Sequence, residues 1–104
     1  MHESPQVTFT GREIRAAAER GEYARAAVMA SILAPGMEGV LGRFQTEMEA
    51  YERAKISANW HRALRALADA RAAALASGVI ELEAVVTRRL FDVVRLHHEE
   101  RKQG

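Results

Sequence analysis

Apolar positions recur at helical spacing along nearly all of this 104-residue chain, and each period is bounded by its own start or stop signal. The first follows Thr10-Gly11-Arg12-Glu13, a capping box in which the Thr hydroxyl accepts from the Glu13 amide and the Glu side chain reaches back. Phe9 and Ile14 stand at the staple positions, and the pattern predicts a helix through Ile14, Ala17 and Ala18 as far as Arg20. Gly21 then suits the left-handed position that ends a helix. Tyr23, Ala26, Ala27, Ala30 and Leu33 carry the next period, widened by Val28, Met29 and Ile32. Ala34-Pro35-Gly36 stops it, because proline disfavours helix in the residue before it. The two periods fit either a hairpin at Gly21 or one helix bent there.

No Pro or Gly interrupts Arg43 to Ser77, and Met37, Leu41, Phe44, Met48 and Tyr51 step as a helix seam should. A second register, Ile56, Trp60, Leu64, Leu67, Arg71 and Ala74, is offset near Ala54-Lys55-Ile56. Such a slip is a stutter in one long helix or a break capped by Ser57 or Asn59, and the continuous helix is the preferred reading. Straight, it would run about 50 Å, against a radius of gyration of about 13 Å for a compact chain of this size. Two shorter helices laid end to end, a partner chain, or both must therefore cover it. Ser77-Gly78 closes it, and the last helix runs from Val79 to about Lys102. Val79, Leu82, Val86, Leu90, Val93 and His97 mark its stripe, broadened by Ile80, Val85, Phe91 and Val94. A stripe wider than half the circumference needs cover on two sides. The expected fold is all-α, an antiparallel helical bundle of two short N-terminal helices, a long central helix and a C-terminal helix. Residues 9–102 form its single domain behind a disordered lead of residues 1–8.

Composition agrees with helix: Ala fills 20 positions, against two Pro and six aromatic residues. Fifteen basic and fourteen acidic residues leave a net charge of +1, which excludes a strong uniform field for nucleic acid or membrane. The lack of cysteine excludes disulfides, thiolate chemistry and Cys-ligated metal. Arg, Glu or Lys interrupts every apolar run before membrane-spanning length, and Met1 to Pro5 lacks the basic and apolar regions of a leader. A cytoplasmic protein with no membrane partner is expected.

Candidate chemistry is sparse. Gly36, Gly39 and Gly42 recur every third residue, but no strand precedes them and the spacing is not a phosphate fingerprint, so they read as a flexible connection or a close backbone approach. Ala58, Val94 and Arg95 stand three positions before His61, His97 and His98, so the Glu-x-x-His pattern of carboxylate-bridged metal bundles is missing. His97-His98 before Glu99-Glu100 reads as a solvated helix end, where imidazole also suits the helix dipole. Glu49, Glu52 and Arg53 read as a polar face. No metal ligand set, cofactor or catalytic residue is assigned.

Arg20-Gly21-Glu22-Tyr23-Ala24-Arg25-Ala26 resembles the inter-helix turn of a tetratricopeptide repeat, which implies a tight antiparallel hairpin at Gly21. The repeat period does not recur near residue 55 or 89. Association is the remaining signal, because the Ala-rich stretch from Ala58 to Ala76 buries little area per residue and gains from a second copy. The expected function is a non-enzymatic interaction module acting as a homodimer, with another protein as further partner. Leu41, Phe44, Met48, Tyr51, Trp60 and Phe91 are the candidate partner-binding residues. The alternatives are a nucleic-acid-associated regulator using Arg62, Arg65, Arg88, Arg89 and Arg95, and a small-molecule or metal carrier using His97 and His98.

Overall fold

The structure is a computed structural model that describes residues 10–103. The expected lead and Phe9 lie outside them. Five helices follow one another: α1 (Gly11–Glu19), α2 (Tyr23–Leu33), α3 (Glu38–Ile56), α4 (Trp60–Ser77) and α5 (Ile80–Gln103). Each packs on its neighbour in the chain, and α5 closes the cycle by packing on α1. The all-α bundle is therefore as expected, with one correction. The long central helix is two helices.

Local chemistry explains most of the boundaries. Glu13 accepts from the Thr10 amide at 2.9 Å, which is the reach-back half of the capping box. At the other end of α1 the Gly21 amide donates to Ala18 O at 3.0 Å and the Glu22 amide to Ala17 O at 2.9 Å. Those crossed bonds need a left-handed residue, and Gly21 has φ of 84°. The chain reverses there into a hairpin, the alternative implied by the repeat-like turn. Gly36 also sits at positive φ, in the turn after Pro35. Gly39 and Gly42 correct the reading of a flexible connection, since both lie inside α3. No heavy atom stands within 4 Å of a β-carbon built on either, so no second backbone approaches them.

The break between α3 and α4 is built from the same crossed bonds. Asn59 N–H reaches Ala54 O at 2.9 Å, Ala58 N–H reaches Lys55 O at 3.0 Å, and Ala58 takes φ of 56°. Asn59 then caps α4 by accepting from the Arg62 amide at 3.2 Å. The offset in the apolar register is thus a reversal that lays α4 back along α3, which answers the length problem without a partner. Ile56, expected in the second seam, is 85% exposed at the end of α3. Ser77 hydroxyl donates to Ala74 O at 2.7 Å and accepts from Val79 N–H at 3.1 Å, closing α4 into α5 around Gly78.

The core is continuous through all five helices. Leu41, Phe44, Met48 and Tyr51 of α3 are fully buried, with Ile14, Leu67, Leu82 and Val86. Each such large side chain contributes about 1.5–3 kcal/mol by leaving water. Between them stand Ala17, Ala26, Ala30, Ala63, Ala70 and Ala74, which add little area and let the helices approach closely.

Candidate functional site

The buried seam corrects the first set of candidates. Leu41, Phe44, Met48 and Tyr51 are core and are not open to a partner, because the reversal at Ala58 gives their stripe an intramolecular partner in α4. Trp60 is half-buried, and its indole N–H donates to Glu100 across α4 and α5 at 2.8 Å. Phe91 alone of the six is widely exposed, at 72%.

Phe91 belongs to a second stripe on α5. At about 100° per residue, Ile80, Ala84, Thr87, Phe91 and Val94 share one line, opposite the inward Leu82, Val85, Val86 and Val93. Ile80 and Val94 are 70% and 56% exposed, while Ala84 and Thr87 are half-buried. Alongside it α4 presents Ala68 and Leu75, also exposed and two turns apart, while Ala72 turns toward α3. Leu75 and Ile80 line one shallow cavity of about 220 Å³ with Val79 and Glu83, which joins the two stripes. One ion pair, Arg71 to Glu83 at 3.5 Å, ties α4 to α5. Sequence reading noted the breadth of the α5 stripe but missed Ile80, Val94 and Leu75 as site residues. The signal was the double heptad spacing on α5.

The five arginines of the nucleic-acid alternative do not form one stripe. Arg89 turns inward and donates to the Glu19 carbonyl at 2.8 Å, holding the end of α1. Arg95 pairs with Asp92 at 3.4 Å, and Arg88 lies beside Glu19 and Asp92. Arg62 and Arg65 open instead onto a groove between α3 and α4.

Arg89 is part of a polar cluster that sequence reading also missed. Tyr23 donates to Glu52 at 2.5 Å, so Glu52 faces α2 and is no member of a solvated face. Burial, reinforced by the bond to Glu52, raises the Tyr23 hydroxyl above the usual phenol range against the opposing charge of Arg89. Burial likewise pushes Tyr51 up to about 12, with Glu52 and Asp92 adding to it. Tyr23 and Phe44 meet edge to face with centroids 6.3 Å apart. The cluster ties α1, α2, α3 and α5 together.

At the far end of α4 and α5, His61 and His97 stack edge to face with centroids 6.4 Å apart. Among the described residues no three His, Cys, Asp or Glu side chains converge as a metal site. No helix among them is long and apolar enough to cross a membrane. Comparison of the chain with family models, curated proteins and solved structures finds no match.

Proposed function

We propose that this chain is a small non-enzymatic interaction module that acts as a homodimer, with the outer face of the α4–α5 hairpin as its self-association surface. The observation that carries the reading is Phe91, 72% exposed in line with Ile80 and Val94. Contiguous apolar surface of this kind marks an interaction site. The stripe from Ile80 to Val94 is about 21 Å long, and two helices side by side make the face about 20 Å wide. The resulting apolar area, about 420 Å², is about half of the roughly 800 Å² per partner of a stable interface, and the polar residues flanking the stripe supply the rest as its rim. Ala68 lets a second copy approach closely, and Phe91 supplies the large side chain that dominates such contacts. The polar cluster at Tyr23, Glu52 and Arg89 is read as a structural tie, because its hydrogen bonds join one helix to another.

Light scattering on a sizing column tests this. The chain weighs 11.5 kDa, so a dimer elutes at about twice that mass. Phe91→Glu is expected to give a monomer with unchanged helicity, since the side chain leaves no core contact behind. Ile56→Glu, more exposed still but off the face, is expected to leave the dimer intact. A monomeric wild-type chain, or a Phe91→Glu dimer of undiminished affinity, refutes the reading.

A further inference from the structure

We infer that the groove between α3 and α4 docks an acidic helix of a partner protein. The groove is a cleft of about 430 Å³ whose rim carries Arg53, Arg62 and Arg65 over a floor that includes Ala54 and Ala66. A second cleft of about 350 Å³ shares Asp69 with the first and adds Arg43 over Ala72, Ala73 and Ala76. The two make one continuous channel on a face separate from the proposed dimer surface around Phe91, and the inference does not rest on that dimer.

The charges of the channel are left uncommitted by the fold. Arg15, Arg20, Arg25, Arg71 and Arg95 each have a carboxylate within 4.0 Å. Among the described residues the other eight arginines have none, and four of these, Arg43, Arg53, Arg62 and Arg65, line this one groove. Unpaired guanidinium groups arrayed around a concave surface select carboxylates, which they hold in bidentate pairs. The Ala floor has the shape for a helix, because small side chains let a third helix settle into the furrow between two.

The order of charges specifies the occupant further. Arg53, Arg62 and Arg65 stand at one end, Glu47 and Asp69 in the middle, and Arg43 toward the other end. Arg43 and Arg53 are separated along α3 by about 15 Å, which is about three turns of a docked helix. The complementary ligand therefore carries acidic residues at both ends of a three-turn stretch and a basic residue between them. The same order disfavours nucleic acid. A phosphate backbone would run against Glu47 and Asp69, and no aromatic side chain lines the groove for bases to stack on.

A fluorescently labelled Ala-rich helical peptide of about five turns, with Glu near both ends and Lys at the centre, is the probe. Anisotropy with the full chain is expected to show saturable binding that weakens at least about tenfold (about 1.4 kcal/mol) in Arg62→Glu/Arg65→Glu. The peptide with Glu and Lys exchanged is expected not to bind. Arg88→Glu, outside the groove, and Phe91→Glu, on the dimer face, are expected to bind the probe like wild type. Failure to saturate below about 1 mM, or undiminished binding by the double variant, overturns the inference. So does an oligo-dT strand that binds tighter and displaces the peptide, because the groove then reads phosphate.

Discussion

Ala58→Gly separates the observed break from a continuous central helix by the sign of its effect. Ala58 is the sole non-glycine residue at positive φ among the described residues, at 56°. An L-residue with a β-carbon pays roughly 1–2 kcal/mol to sit in that region. Glycine removes the strain and gives back part of it through the greater freedom of the unfolded chain. Because Ala58 is exposed, the lost methyl group costs little burial. The net expectation is a gain of about 0.5–1 kcal/mol, which raises the melting temperature by about 2–8 °C for a domain of this size. Far-UV circular dichroism during heating measures the shift, and urea titration with an unchanged slope confirms that both variants unfold from the same compact state. If residues 57–59 were helical, the same substitution would instead destabilise by about 1 kcal/mol, the cost of glycine in a helix interior. A fall in melting temperature would therefore refute the reversal between α3 and α4.

Two further outcomes are expected. Gly42→Ala, inside α3 with open space where the β-carbon would stand, is expected to stabilise the chain by about 0.5–1 kcal/mol in urea unfolding; a loss would mean that some chain packs on that face. Burial holds the Tyr51 hydroxyl up to about 12 and raises Tyr23 as well, while an unfolded chain releases both protons near pH 10. The unfolded state binds fewer protons in that window, so stability is full below about pH 10 and is lost as pH rises toward about 12. Phenolate absorbance should appear together with loss of helicity, and phenolate in a folded chain below pH 10 would contradict the burial of both rings.

The pattern of residues determined by itself that this chain makes helices and where most of them begin and end. Thr10 and Glu13, Gly21, Pro35 and Gly78 act within a few residues of themselves, through caps and backbone conformations that need no distant partner. The inward stripes at Leu41, Phe44, Met48, Tyr51, Leu82, Val86 and Val93 were legible for the same reason, since helical spacing alone puts each set on one face. Tertiary structure decided everything that depends on what a face meets. Ala58 has no turn signature, and it accepts a left-handed conformation because the reversal lets α3 bury its aromatic seam against α4. That choice turned four candidate binding residues into core and left Phe91 on the surface. It also drew Arg62 and Arg65 beside Arg53 on the groove that Arg43 lines farther along, while Arg89, on the opposite side of α5 from Phe91, was drawn inward to the end of α1. Spacing along a helix assigns a side chain to a face. Whether that face becomes core, groove or open surface is set by the helices that pack beside it, and those contacts join residues far apart in the chain.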